Sequence, residues 1–387
     1  VTDQNTAAAT FHADCCPIFF MDGKRRAAGV CHAGWKGTAD GVIFAILKKL
    51  SGLGVSTYED DAGEKIGGNC GNLYGYLPGA RAGAPLLFSA HMDTVEPGRG
   101  KRAILQADGR ITSAGDTVLG ADDVAGIAIL LEALARLTEG GTPRRPLELL
   151  FPVAEERYGL GSARADYGRI RAKEAYTLDL SGAIGEAAGA APTLFSFEVT
   201  VTGKASHAGF APRDGIHAIA AASKAVARIP LGEPEPGVTV NIGRISGGEA
   251  DNIVPALCKV SGEIRSLSHH LVLEQWERIQ AVFEEEAQAA GARAAAHGRV
   301  EITAYETPPD SPAVRRFERA CRQAGVPARI HATLGGSDAN NFALHGIQNL
   351  VLACSMHQVH SVREYARLDE LEQGVQLVLA LMTDDVP

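Results

Sequence analysis

The chain has 387 residues, 45% of them hydrophobic, enough to bury a large core and to divide it between more than one domain. Its 37 basic and 46 acidic side chains leave a net charge of −9 with no long basic run, which argues against nucleic acid and anionic membranes as partners. Seven scattered cysteines, with neither a charged-then-apolar leader nor a long apolar span, point to a reduced, cytoplasmic setting.

Taken in chain order, the first periodic stretch is Ala39 to Leu50, which has a helical repeat. The apolar run Pro85-Leu86-Leu87-Phe88-Ser89-Ala90 then predicts a buried strand that hands over to His91-Met92-Asp93-Thr94, the usual place for ligands in an open α/β sheet. His91 and Asp93 are two residues apart, so an extended backbone puts them on one face, where the carboxylate can accept the imidazole N–H and fix its tautomer. Asp122 opens the apolar, helix-like stretch Val124 to Leu134. Leu147 to Ala154 predicts a second strand, delivering the adjacent pair Glu155 and Glu156. Neighbours on a strand face opposite ways, so one glutamate can bind metal while the other handles a water proton. Tyr176-Thr177-Leu178-Asp179 predicts a short strand ending in another carboxylate.

A break near Ala190 opens a different pattern. Strands are predicted at Phe195 to Val201, Val238 to Ile245, Lys259 to Ile264 and Arg299 to Ala304, with helices at Gly215 to Ile229 and Leu271 to Ala290. That β-α-β-β-α-β succession predicts a ferredoxin-like insertion. Ser311 to Gly325 reads as a helix returning to the first half, so the domain carrying the acidic cluster is discontinuous. The expected divisions are 1–38, 39–190, 191–308 and 309–387 within an α/β fold, a mixed sheet flanked by helices.

His91, Asp93, Asp122, Glu155, Glu156, Asp179 and His360 together read as a site for two zinc ions, with cobalt or manganese as substitutes. The set is rich in oxygen and nitrogen and free of cysteine, which suits a hydrolytic rather than a structural thiolate centre. Two such ions can share a water, lower its pKa and polarise a scissile carbonyl.

The order of these motifs resembles the dizinc exopeptidase family of peptidase T, carboxypeptidase G and aminoacylase, from about Gly54 to the C-terminus. The nearest likeness is to the peptidase T (tripeptide aminopeptidase) branch. It is carried by Glu59-Asp60-Asp61-Ala62-Gly63, Gly67-Gly68-Asn69, His91-Met92-Asp93-Thr94, Gly120-Ala121-Asp122-Asp123 and Gly335-Gly336-Ser337-Asp338-Ala339-Asn340. The resemblance implies that His91 and Asp179 bind one zinc, Glu156 and His360 the other, and that Asp122 bridges them. It implies that Asp93 orients His91, that Glu155 is the general base, and that His360 lies in a closing motif running to Glu364, with His357 outside the ligand set. In the insertion, Gly203-Lys204-Ala205-Ser206-His207-Ala208-Gly209 resembles the family's lid motif, whose histidine polarises the substrate carbonyl, often across a homodimer. Asn252 and Arg265 match substrate-contacting positions, and an arginine fork suits a peptide carboxylate. Val124 replaces the usual lysine after the double aspartate, the glycine after Arg157 comes one residue late, and Leu180-Ser181 follows Asp179. Whether the free amino or the free carboxyl end of the peptide is read stays open.

The N-terminus has another likeness. Ala13-Asp14-Cys15-Cys16-Pro17-Ile18 and Cys31-His32-Ala33-Gly34-Trp35-Lys36-Gly37-Thr38 resemble the laccase-domain (multicopper polyphenol oxidase-type, purine nucleoside phosphorylase) family, with Cys15 and His32 seventeen residues apart as in its metal pair. The third ligand of that family would lie before Val1, and the start at Val1 reads as clipped or fused. Three functions therefore compete: a dizinc peptidase, a laccase-type nucleoside enzyme or oxidase, and a silent homologue.

Overall fold

Runs of leucine, valine and phenylalanine form strands where both faces of the sheet can be covered, and that rule sets the architecture here. The computed structural model describes residues 16–22, 27–33 and 43–384. A hairpin of β1 (Cys16–Asp22) and β2 (Ala27–Ala33) comes first, then α1 (Ile43–Gly52), β3 (Ser56–Glu59), α2 (Ala62–Lys65), β4 (Leu73–Leu77) and β5 (Leu86–Ser89). Next come β6 (Ala103–Leu105), β7 (Arg110–Ser113), α3 (Ala121–Gly140), β8 (Leu147–Phe151), β9 (Glu174–Ser181) and β10 (Glu186–Ala191). The insertion holds β11 (Thr193–Thr202), α4 (Ala218–Arg228), β12 (Gly232–Glu235), β13 (Val238–Gly247), β14 (Leu257–Ser266), α5 (His269–Ala289) and β15 (Arg293–Ile302). The chain returns through β16 (Tyr305–Glu306), α6 (Pro312–Ala324), β17 (Arg329–Ala332), α7 (Asp338–Leu344), β18 (Gln348–Met356), β19 (Tyr365–Arg367) and α8 (Leu368–Thr383).

These elements make two compact units, one from Ala190–Tyr305 with the short piece Thr333–Gly336, the other from the remaining described residues. The larger unit is built on a nine-stranded mixed sheet in which β10-β18-β9-β5-β8-β4-β3 are neighbours. Its four central strands, β18, β9, β5 and β8, run parallel, while β10, β4 and β3 are antiparallel to their neighbours. β5 and β8 are buried along their whole length, as a central parallel strand must be. α3 is apolar nearly all round, and Ile127, Ile129, Leu130, Leu131 and Leu134 are all buried, each contributing about 1.5–3 kcal/mol. A fully buried Arg316 on α6 donates to Glu174 at the start of β9 (3.0 Å) and to the Asp384 carbonyl (2.6 Å). Removing one partner from such a pair costs about 3–5 kcal/mol, so this network anchors β9 and the end of α8 together.

The smaller unit is a five-stranded antiparallel sheet in the order β12-β13-β14-β11-β15. With β12 set aside as an extra edge strand, that is the ferredoxin-like arrangement, and buried side chains of α4 and α5 pack with those of the sheet strands in one apolar core. Its last strand differs from the sequence reading: β15 starts at Arg293, six residues before the expected Arg299. Arg293-Ala294-Ala295-Ala296-His297 has almost no strand propensity, and it is extended because it pairs residue by residue with β11. The helix expected over Ala39 to Leu50 is described from Ile43 as α1, and 39–42 lie outside the described residues, as do Cys15, His12 and most of the laccase-like segment. Among the described residues no helix is long and apolar enough to cross a membrane, and Cys70, Cys258, Cys321 and Cys354 are free thiols.

Candidate metal centre

Four parallel strands end on one edge of the larger sheet, and each carries or precedes a candidate ligand. β5 leads to His91, β8 to Glu155 and Glu156 and β18 to His360, while Asp179 sits near the end of β9 itself. Side chains that leave parallel strands at their carboxyl ends converge on one crevice, whatever their separation in sequence. Asp122 enters from the start of α3, where it and Asp123 are not helical (φ −83°, ψ 99° and φ −122°, ψ 37°).

The side chains meet around Asp122. Its Oδ1 is 3.0 Å from His91 Nε2, and its Oδ2 is 3.2 Å from His360 Nε2. His360 Nε2 also lies 3.0 and 3.2 Å from the two carboxylate oxygens of Glu156. On the other side His91 Nε2 is 3.9 Å from Asp179 Oδ1 and 4.0 Å from Glu155 Oε2. Ligand atoms of His91, Asp122 and Asp179 all fall within 4.8 Å of one another, and so do those of Asp122, Glu156 and His360. Asp122 is common to both groups.

Electrostatics in this cluster are those of buried anions. Burial opposes ionisation of Asp122, but hydrogen bonds from His360 and His91 outweigh it and hold its carboxyl below the usual range. Burial pushes Glu155 up, and the charge of Asp179 adds to the effect. Asp179 is likewise pushed up by burial, partly relieved by His91. Burial disfavours the charged His91 ring, yet Asp122 and Asp93 raise it well above the ordinary imidazole range. Asp122 and Glu156 push His360 up to about 10. Among the described residues no lysine or arginine pairs with Asp122, Glu155, Glu156 or Asp179. A carboxylate cluster relieved only by two imidazoles, each presenting Nε2, is a donor set that divalent cations would neutralise.

One local expectation is corrected. Glu155 and Glu156 do not lie on a strand, because β8 ends at Phe151 and the pair begins a 3-10 turn, Glu155–Arg157. Left-handed residues Ala154 (φ 53°) and Tyr158 (φ 64°) bracket that turn. Its curvature, not the pleat, sends Glu155 toward His91 and Glu156 toward His360.

Asp93 has a wider part than its spacing suggested. Its Oδ1 is 3.4 Å from His91 Nδ1, outside good hydrogen-bond geometry, while its two oxygens accept the Glu155 and Glu156 backbone N–H groups at 2.9 and 3.1 Å. Sequence reasoning gave no task to Asp123 or Glu364. Asp123, fully buried, accepts from the backbone N–H of His91 (3.1 Å) and of Gly126 (3.1 Å). Glu364, also buried, accepts from Gly120 N–H (2.6 Å) and Asp122 N–H (3.0 Å) and so fixes the backbone that carries Asp122. Each stood beside a recognised residue, the one in the double aspartate and the other closing the His360 motif. His357 pairs with Glu370 at 2.5 Å and stacks on Tyr365, away from both groups.

The three candidates of the insertion lie in the smaller unit. His207 is exposed, its Nδ1 accepts from Gly209 and Phe210 N–H at 3.1 Å each, and its ring stacks on Phe210. Asn252 is exposed and accepts the Ala208 N–H through its backbone. Arg265 already spends two donors on Glu263 (2.8 and 3.2 Å) and one on the Leu334 carbonyl (3.0 Å).

Comparison with known proteins places this geometry. Residues 87–384 match Peptidase family M20/M25/M40, and residues 1–73 match the multi-copper polyphenol oxidoreductase laccase family. The Bacillus subtilis protein called uncharacterized protein YqjE is 36% identical over 343 residues, 88% of this chain and 92% of that one. The crystal structure of aminopeptidase PepT from Bacillus cereus superimposes with a TM-score of 0.82 at 36% identity, covering 88% of this chain and 91% of its own. A tripeptidase from Staphylococcus aureus gives 0.85 at 30% identity, over 88% and 91%.

Proposed function

The chain belongs to peptidase family M20/M25/M40, and from that membership we propose that it is a dinuclear metallo-exopeptidase that cleaves short peptides, tripeptides foremost, from the amino end. The observation that carries the reading is Asp122, whose two oxygens face His91 and His360 separately (3.0 and 3.2 Å), making one carboxylate common to two ligand groups. In this reading His91 and Asp179 hold one ion, Glu156 and His360 the other, and Asp122 bridges; zinc is the metal of choice, with cobalt or manganese as substitutes. When bound, the ions lower the pKa of a water and polarise the scissile carbonyl. Glu155 accepts the proton of the attacking water at its carboxylate and returns it to the departing amine nitrogen. Asp93 holds the turn that carries Glu155 by accepting its backbone N–H, and its carboxylate faces the His91 ring 3.4 Å from Nδ1. Amino-end specificity is supported by the likeness to the Bacillus cereus aminopeptidase, and the preference for tripeptides by the likeness to the Staphylococcus aureus tripeptidase. A cytoplasmic setting is part of the same reading, supported by the free thiols.

Exhaustive chelation should abolish tripeptide hydrolysis, and zinc, cobalt or manganese should restore it. A di- and tripeptide panel, read beside metal analysis, checks this. Full turnover in a protein shown to be metal-free would sink the dinuclear reading, and bound metal without turnover on any peptide would leave a silent homologue.

The protein is further proposed to act as a homodimer joined through its ferredoxin-like unit, with His207 serving the site of the second copy and Asn252 and Arg265 contacting substrate. With its Nδ1 accepting two backbone N–H groups, His207 carries its proton on Nε2, an outward donor suited to a carbonyl oxygen. Mixing inactive His207→Ala with inactive Glu155→Gln should regain part of the wild-type rate as subunits exchange. A fully active monomer by sedimentation would refute it.

The match of residues 1–73 to the laccase family favours a second activity. We propose instead that residues 1 to about 38 have none of their own. Cys15 and His32 offer two donors where a catalytic zinc site usually needs three plus an open position, and the other histidine of the segment, His12, is only three residues from Cys15. Neither inosine nor adenosine should be turned over. Turnover lost in Cys15→Ala while peptidase activity persists would make the protein bifunctional.

A further inference from the structure

The segment from Val153 to Gly161 is short, irregular and strained, yet it presents both glutamates. Ala154 and Tyr158 occupy the left-handed region without being glycine, each at a cost of roughly 1–3 kcal/mol that surrounding contacts must offset. Those contacts close the loop at its base and at its tip. At the base, the Asn72 side chain reaches both ends at once: its Nδ2 donates to the Gly161 carbonyl (2.9 Å) and its Oδ1 accepts the Val153 N–H (3.1 Å). The second Nδ2 hydrogen goes to Asp60 Oδ2 (2.9 Å), and Asp60 Oδ1 accepts the Asn72 backbone N–H (2.8 Å). Asn72 is fully buried, and its carboxamide is satisfied on every side. The approach is too close for any side chain at Gly161, where a Cβ would lie 1.9 Å from the Val153 oxygen.

At the tip, Ser162 Oγ lies 2.5 Å from Asp338 Oδ1 and 3.1 Å from the Gly159 carbonyl. Asn341 Nδ2 donates to the same carbonyl (3.0 Å) and to Ser162 Oγ (2.8 Å). Asp338 and Asn341 are held in turn by α7, whose first turn is locked by a capping box between Ser337 and Asn340. Gly159 is left-handed at φ +63°, a backbone conformation that side chains rarely adopt, and a Cβ there would lie 2.8 Å from Asn341 Nδ2.

We propose that Asn72, at the base, and Asp338, acting through Ser162 at the tip, are positioning residues that clamp the 153–161 loop and so hold Glu155 at the distance proton transfer requires. The proposal rests on the reading of Glu155 as general base. Its physical basis is that a catalytic group displaced by about 1 Å can lose about 100-fold in rate, and that a strained loop freed of its clamp relaxes toward other conformers.

The test uses the full-length, metal-loaded protein with Asn72→Ala, and Ser162→Ala in case the first fails to fold. Hydrogen exchange at the 153–161 amides should quicken at least about tenfold, while amides of the ferredoxin-like sheet keep the wild-type rate. In the same variants kcat should fall by about 10- to 100-fold, with KM within about twofold and metal content retained. Placed in a Glu155→Gln background, either substitution should change the residual rate by less than about twofold, since a positioning residue acts through the group it positions. Unchanged exchange in the loop overturns the clamp. A full, multiplicative loss in the Glu155→Gln background shows a general structural role and overturns the positioning. A Glu155→Gln protein at the wild-type rate refutes the general-base reading instead, and the exchange measurement then judges the clamp by itself.

Discussion

Glu155→Gln is expected to retain both metal ions and lose at least about two orders of magnitude in kcat, whereas Glu156→Gln should lose metal along with rate. The two residues are chemically identical neighbours, so only geometry separates them. Glu156 offers both oxygens to His360 Nε2 at 3.0 and 3.2 Å, within the group that Asp122 completes. Glu155 Oε2 stands 4.0 Å from His91 Nε2, and Glu155 belongs to neither ligand group. Buried beside Asp179, its carboxyl takes up a proton more readily than an ordinary glutamate, the property a base needs. Glutamine keeps the shape and the hydrogen-bonding reach but cannot accept and release a proton. Metal content of each variant after gel filtration, set beside its kcat on a tripeptide, decides the matter. The reverse pattern, metal lost from Glu155→Gln and kept by Glu156→Gln, would exchange the two roles.

What the sequence displayed and what it hid differ in range along the chain. β5, β8 and β9 were legible because each is a local run of apolar residues between polar punctuation, and a run of that kind has few other places to go. The residues at their ends were legible for the same reason. The turn carrying the glutamate pair was not, because its shape depends on left-handed backbone at Ala154 and Tyr158, two residue types that do not advertise it. What stabilises that shape is more remote still: Asn72 meets Gly161 across 89 positions and Ser162 meets Asp338 across 176. Glu364 reaches Gly120 across 244. A one-dimensional pattern carries no sign of such partners. The start of β15 was missed for a related reason, since its alanines are strand only through pairing with β11.

Asp122→Asn should empty the centre, losing more than about 100-fold in metal affinity, the upper end of what outer-shell changes cost, and bringing peptide hydrolysis to background. The argument is one of magnitudes. Two dications at the roughly 3.5–4 Å typical of paired sites repel by about 17–19 kcal/mol at an effective dielectric of about 20. One carboxylate within about 2.1 Å of both returns about 16 kcal/mol of attraction to each, whereas an anion on one side alone draws about 16 kcal/mol from the near ion and only about 5–6 from the far one, so sharing outweighs the repulsion by about 13–15 kcal/mol against about 3–5. These are gross Coulomb terms before desolvation, but the asymmetry survives scaling, because every term shares the same dielectric. Asp122 is built for that position: both oxygens are engaged, Glu364 pins its backbone N–H at 3.0 Å, and the two imidazoles keep it ionised against its burial. Asparagine preserves volume and one acceptor oxygen while removing the charge, so the substitution tests electrostatics rather than packing. Metal titration by calorimetry, with thermal unfolding as a check that the fold persists, reads the outcome. A variant that still takes up two ions with wild-type affinity would show that His91 with Asp179, and Glu156 with His360, suffice as separate sites, and the bridging role would fall.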